Sequence, residues 1–169
     1  HNADVLLSTI TFNDINFSAN TGSSLFQNAG VLNFVANNIN FSSNATIQQI
    51  LGAAPTHRVN TYNFSPGKVY SFHTSSNAST APVYTVVNSI NSNSIGSCSP
   101  KVTIQSSSAG YRAKIYKASL PFEVSNAIIR DINATGVTMS VPGGEDLGNN
   151  LNVNITANPS QNFYWVGGT

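Results

Sequence analysis

Leu151-Asn152-Val153-Asn154-Ile155-Thr156 alternates apolar and polar side chains without a break. In an extended strand that puts Leu151, Val153 and Ile155 on one face and Asn152, Asn154 and Thr156 on the other. A strand so patterned has one packed and one solvated side. Runs of the same period recur over 58–64, 68–74, 82–90, 101–106, 111–117 and 136–141, and amphipathic helical spacing is nowhere sustained over three turns. Turn formers separate the runs, as in Ser65-Pro66-Gly67, Ser75-Ser76-Asn77 and Pro142-Gly143-Gly144. The pattern predicts an all-β chain folded as a single sandwich or jelly roll. One short helix is expected over 45–51, capped by Ser43 or Asn44 and stopped by Gly52.

A partial repeat links Asp14-Ile15-Asn16-Phe17-Ser18-Ala19-Asn20 to Asn38-Ile39-Asn40-Phe41-Ser42-Ser43-Asn44. Two copies are fewer than a solenoid needs, so they read as related edge or hairpin segments. No linker splits the chain into balanced halves. The expected organisation is an N-terminal tail over 1–20 and a β-sandwich head over 21–169.

Charged residues make up 8% of the chain and apolar residues 40%, which allows a core and argues against charge-driven disorder or a coiled coil. A net charge of +1 with scattered basic residues lacks the stripe that binds phosphate backbones, so no nucleic-acid partner is expected. No apolar run reaches the ~20 residues of a membrane helix. The one cysteine, Cys98, excludes an intrachain disulfide. Seven Asn-X-Ser/Thr sequences, at Asn16, Asn40, Asn44, Asn63, Asn77, Asn133 and Asn154, are acceptors for N-linked glycans and point to an extracellular location. The six carboxylates leave few groups whose protonation drives acid unfolding, so weak acid sensitivity is expected.

The N-terminal stretch Val5-Leu6-Leu7-Ser8-Thr9-Ile10-Thr11-Phe12 is apolar on both faces, with Leu6, Ile10 and Phe12 on one parity and Val5 and Leu7 on the other. Alone, such a strand exposes apolar surface and unpaired backbone groups together. It has two homes: the first strand of its own domain, or a groove of the next subunit, where it acts as a donor strand by β-augmentation. The second arrangement is head to tail and grows an open filament when it does not close a ring.

A start at His1-Asn2-Ala3-Asp4 like that left by signal-peptide removal, the hydrophobic strand through Phe12, the Ser/Thr/Asn-rich β domain and the many sequons together resemble the subunits of archaeal thread filaments. These are extracellular pili assembled by donor-strand complementation. The resemblance implies a β-rich head, Val5, Leu6, Leu7, Ile10 and Phe12 as donor residues, identical subunits as partners, heavy N-glycosylation, and isopeptide cross-links. For an isopeptide, an amine is needed beside an Asn or Asp with an assisting acid. Lys117, which shares parity with Tyr111, Ala113 and Ile115, is the first candidate, Lys101 and Lys114 are alternatives, and Glu123 is the assisting acid.

Catalysis finds little support in the residues. His57 and His73 lack metal-motif spacing, Glu145-Asp146 beside Gly143-Gly144 does not complete a Ca²⁺ cage, and no Gly-X-Ser-X-Gly elbow occurs. Neither an enzyme nor a metal or organic cofactor is expected. The leading expectation is a structural subunit of a cell-surface filament, in contact with other cells or a biofilm. Two rivals stand beside it. One is a secreted glycan-binding or adhesive module, suggested by Tyr62, Tyr70, Tyr84, Tyr111, Tyr116 and Phe163-Tyr164-Trp165; the other is a viral coat jelly roll.

Overall fold

The structure, a computed structural model, describes residues 9–18, 23–28, 33–49, 56–75, 82–94 and 99–158. All regular structure among them is β. Fourteen strands follow in order: β1 (Ile10–Phe17), β2 (Ser23–Asn28), β3 (Asn33–Phe41), β4 (Asn44–Gln49), β5 (Thr56–Phe64), β6 (Val69–Phe72), β7 (Val83–Asn91), β8 (Val102–Ser106), β9 (Ala113–Lys117), β10 (Ala127–Arg130), β11 (Ile132–Gly136), β12 (Met139–Pro142), β13 (Glu145–Asp146) and β14 (Val153–Thr156). Sheet A has the order β1-β3-β5-β7-β9-β11, sheet B the order β13-β10-β8-β6-β4-β2, and sheet C pairs β12 with β14.

Every pair among the described strands is parallel. From β1 to β11 the chain visits sheets A and B alternately, and each return to a sheet lays a strand beside the one placed a coil earlier. One column of sheet A reads Ile10, Phe34, His57, Tyr84, Ile115, Ala134 in register. This is the geometry of a parallel β-solenoid, with a period of roughly 20–30 residues. Sheets A and B face each other over one core, which keeps the two-layer character of a sandwich. The hairpins of a jelly roll are antiparallel and do not occur among the described residues. Alternating polarity reports a half-solvated strand but is silent on the direction of its neighbours. Ser65-Pro66-Gly67 accordingly carries the chain from β5 in sheet A to β6 in sheet B rather than closing a hairpin.

The predicted helix over 45–51 is replaced by β4. Ala45 and Ile47 are buried while Thr46 and Gln48 are half-buried, a period of two. Pairing with β2 and β6 on either side outweighs a weak local helical preference. Asn44 caps no helix; its Oδ1 accepts the Val69 N–H of the next coil at 2.9 Å.

The expected boundary at residue 20 lies outside the described residues; before it, β1 is the first strand of sheet A. Ile10 and Phe12, expected in a donor strand, pair with Phe34 and Ala36 of the same chain. Val5, Leu6 and Leu7 lie outside the described residues. Among those described, β3 is the one neighbour of β1, and Phe12 at this open end is 42% exposed with its ring centroid 5.8 Å from that of Phe34.

Aromatic rings stacked from coil to coil fill the core. Phe17 lies on Phe41 at 4.8 Å, Phe41 meets Phe64 at 5.9 Å, and Phe64 stacks on Tyr70 of sheet B at 3.9 Å. Phe72 of sheet B sets its ring edge-on against Tyr62 and Tyr84 of sheet A. The tyrosine hydroxyls find buried partners. That of Tyr84 reaches the carbonyls of Ile47 at 3.0 Å and His73 at 3.1 Å, and that of Tyr70 reaches the carbonyl of Phe41 at 3.2 Å. Burial pushes the Tyr70 pKa up, partly offset by hydrogen bonding to Ser65. Tyr62 rises further, first by desolvation and then through Tyr84.

His57 stands among these rings, fully buried, stacked on Phe34 at 5.1 Å, with Nε2 2.7 Å from the Tyr62 hydroxyl. Desolvation lowers its pKa from 6.5 to about 3. The unfolded chain therefore takes up this proton well before the folded one. Stability is fully retained above pH 6.5 and falls as the pH drops toward 3, by about 4–5 kcal/mol at ~1.4 kcal/mol per pH unit. That runs against the weak acid sensitivity expected from six carboxylates. Denaturant titrations at intervals from pH 7 to 3 should show this decline in the native chain and a much flatter profile in His57→Gln, whatever that variant's stability at neutral pH.

Candidate functional site

Three of the seven sequons, Asn16-Phe17-Ser18, Asn40-Phe41-Ser42 and Asn63-Phe64-Ser65, fall in register on consecutive coils. Each residue of the triplet has a task there. The phenylalanines form the inward stack. Nδ2 of Asn40 donates to Oδ1 of Asn16, Asn63 to Asn40, and Asn91 to Asn63, all at 2.7 Å. The serines bond the coil before: Ser42 through N–H and Oγ to the Phe17 carbonyl, and Ser65 likewise to that of Phe41. The repeat seen twice in the sequence thus runs through four coils, disguised as Thr61-Tyr62-Asn63-Phe64 and Ser89-Ile90-Asn91 in the third and fourth.

A second ladder marks a corner. In β3 the buried residues change parity between Ala36 and Ile39, so that Asn37 and Asn38 both face outward. Asn60 donates to Asn37 at 2.9 Å, Asn37 to Asn13 at 3.3 Å, and Asn38 to Asp14 at 2.7 Å. All these bonds run from a later coil to an earlier one. Beside them, on the outer side of sheet A, lies a groove of about 510 Å³ whose lining includes Thr11, Val35, Asn37, Arg58, Asn60 and Val87. A shallower one of about 330 Å³ follows the Asn16-Asn40-Asn63 ladder.

The remaining acceptor asparagines are dispersed. Asn44 and Asn154 are exposed, and Asn154 points outward from β14 as its alternation predicts. Asn133 is half-buried in β11, and Asn77 lies outside the described residues. The lysine candidates do not converge. Lys117 faces inward as its parity predicts, 4% exposed, and its Nζ donates to the Val87 carbonyl at 2.7 Å. Glu123 is exposed and accepts from Ser125 Oγ at 3.0 Å. No hydrogen bond or ion pair among the described residues joins Lys117 to Glu123. Lys101 stands 3.9 Å from Glu145, and Lys114 lies on the outer face of sheet A in register with Val83 and Asn133. Gly136, at φ +85°, passes beside Lys117; a Cβ there would collide with the Lys117 carbonyl and the Tyr116 ring.

Of the aromatic candidates, Tyr62, Tyr70 and Tyr84 are core, Tyr111 and Tyr116 are exposed, and 163–165 lie outside the described residues. His73 Nδ1 lies 3.4 Å from Ser107 Oγ, and its carbonyl accepts from the Tyr84 hydroxyl at 3.1 Å. Among the described residues no three His, Cys, Asp or Glu side chains are grouped to hold a metal. Comparisons with protein-family models, with curated proteins and with solved structures return no match.

The Asn40 side chain occupies the middle of its ladder, so Asn40→Ala strands the acceptor of Asn16 and the donor of Asn63. At this half-buried site the loss should be about 1 kcal/mol, the lower end of the range for unsatisfied groups. Chemical denaturation against Asn154→Ala, which touches no ladder, provides the comparison, and equal stabilities for the two variants would deny the ladder any energetic role.

Proposed function

We propose that the chain is a non-enzymatic structural segment of an extracellular filament, lengthened end to end by the stacking of parallel coils. The observation that carries this reading is the unfinished state of the first described coil. Phe12 is 42% exposed, with the Phe34 ring 5.8 Å away, and β1 pairs with β3 alone among the described strands. A further coil, from the same polypeptide or from a neighbouring copy, would extend sheet A and bury Phe12. The donor strand expected from the sequence becomes addition at an edge: Ile10 and Phe12 belong to sheet A, and Val5, Leu6 and Leu7 precede them in the sequence. End-to-end addition is heterologous, so it propagates as a fibre when it does not close a ring.

Asp14 gives that end its own chemistry. It stands where the next coil has Asn38 and accepts from both Asn38 and Asn13. As a carboxylate it has no proton to pass on, so a covering strand must bring a donor. An extracellular location draws support from the sequons and the sparse charge, and exposed sugar on such a fibre would shield open strand edges. Contacts with other cells or a biofilm matrix follow from display on a surface fibre. A coat-protein jelly roll has less support, because its hairpins would be antiparallel.

Sedimentation of the native chain over a range of concentrations should show self-association that Phe12→Lys abolishes and Thr103→Lys, on the outer side of sheet B, leaves intact. A native chain that stays monomeric throughout, or a Phe12→Lys variant that assembles normally, overturns end-to-end stacking. Peptide mapping of glycosylated material should find sugar on Asn154 and none on Asn63, whose Nδ2 is engaged inside the ladder.

A further inference from the structure

We infer that β14 of one copy is the strand that covers β1 of the next, so that the two ends of the molecule are complementary halves of one interface. This rests on the reading of the chain as an end-to-end filament segment and names the surface that receives β1. The ends match because they close the same side of the coil.

Past the corner at Asn37 and Asn38, that side can be followed through the described chain. Its outward residues are Asn16, Asn40, Asn63 and Asn91 in register, then Glu123, which lines a common pocket with Asn91. Ser92 Oγ donates to the Ser125 carbonyl at 2.6 Å across this step. Glu123 bridges to Ser140, and Ser140 pairs with Asn154. The second half of β1 therefore begins the side and β14 ends it, each with one neighbour among the described strands, β3 and β12.

The two strands carry one pattern. Asp14-Ile15-Asn16-Phe17-Ser18 and Asn152-Val153-Asn154-Ile155-Thr156 both read polar, apolar, amide, apolar, hydroxyl, and both run exposed, half-buried, exposed, half-buried, exposed. Ile15, Phe17, Val153 and Ile155 all pack against the margins of the core. Laid parallel at the ordinary strand spacing of ~4.7–4.9 Å, β14 sets Val153 over Ile15 and Ile155 over Phe17, with the amides outside. A slip of one residue would reverse the faces.

Hydrogen bonding fixes the direction. In both ladders the amide N–H donates to the coil before it. At the first rung Asn16 Nδ2 has no partner among the described residues, and at the far end Asn154 Oδ1 has none. With β14 stacked before β1, that donor meets that acceptor. Asp14 departs from the rule because its carboxylate has no proton to give. Asn152 stands over it, with one N–H used by the Ala134 carbonyl at 3.2 Å and the other open to Asp14. Sugar joined at Asn154 Nδ2 leaves Oδ1 as the acceptor, so glycosylation there is compatible with the join. An isologous join of two β1 edges would run antiparallel and stop at two copies.

Crosslinking tests the pairing. In a Cys98→Ser background, chains carrying Asn16→Cys are mixed with chains carrying Asn154→Cys and treated with a short bis-maleimide. Both positions are exposed, so the variants should fold, which melting curves check. A covalent heterodimer is expected. Phe12→Lys in the first chain should remove it, and Thr103→Cys in place of Asn154→Cys should give none. Ile155→Lys in the second chain sets an ammonium at the join and should lower the yield about tenfold. Native chain that self-associates in sedimentation while the Asn16→Cys and Asn154→Cys chains fail to link overturns β14 as the receiving strand and leaves end-to-end stacking in place. The same result is expected if residues 159–169 of the chain itself take the place over β14. Equal linking by Thr103→Cys also overturns the pairing, and a native chain that stays monomeric overturns both readings.

Discussion

The parallel register between one coil and the next is the constraint on which the rest of this structure depends. Once the backbone of β3 pairs residue for residue with β1 and β5, every side chain is fixed above and below its counterparts. Like then stacks on like: phenylalanine on phenylalanine inside, asparagine on asparagine outside. Each coil buries its apolar face chiefly against its two neighbours, so stability accumulates from coil to coil. A slip of one residue would turn the phenylalanines out to water and the amides into the core. Ring stacks and amide ladders therefore guard the same register from opposite sides of the backbone.

The sequence revealed the strands more readily than their partners. Period-two alternation located β5, β6, β7, β8, β9 and β14, and the same parity put Lys117 inside and Asn154 outside. It was silent on direction, since a half-solvated strand has one pattern whether its neighbours are parallel or antiparallel. The repeat was visible in two copies and went unrecognised in the next two, where Tyr62 replaces Ile39 and Ser92 replaces Phe41. Coils of unequal length hid it further, because turns of different size separate β5, β7 and β9. Over 45–51, local spacing suggested a helix that two flanking parallel strands overrode. The groove on sheet A was illegible for a related reason: Asn37, Arg58 and Val87 are far apart in sequence and meet only through the register.

Composition led to one conclusion about acid, and burial leads to another. Counting carboxylates measures the groups that gain a proton on unfolding only if no buried base does the same. His57 is such a base, enclosed by Phe34, Tyr62 and Tyr84, and its neutral ring is a condition of the aromatic core. Nothing in the isolated sequence distinguishes it from His73, which lies near the surface beside Ser107. The difference arises from parity: His57 belongs to the inward column of sheet A between Phe34 and Tyr84.

Asparagine abundance carries the same lesson about what a sequence motif measures. Asn93, Asn126, Asn149 and Asn152 hold φ near +50° to +55° at corners, a conformation asparagine tolerates better than most residues. Others build the ladders. A coil that needs asparagine beside a stacked phenylalanine, followed by a serine bonded to the previous coil, spells Asn-Phe-Ser whether or not a glycosyltransferase ever sees it. Asn16, Asn40 and Asn63 are accounted for in this way. The argument for an exterior compartment therefore rests on Asn44, Asn77, Asn133 and Asn154. Of these, Asn154, exposed on a strand whose alternation was readable from the start, carries the most weight.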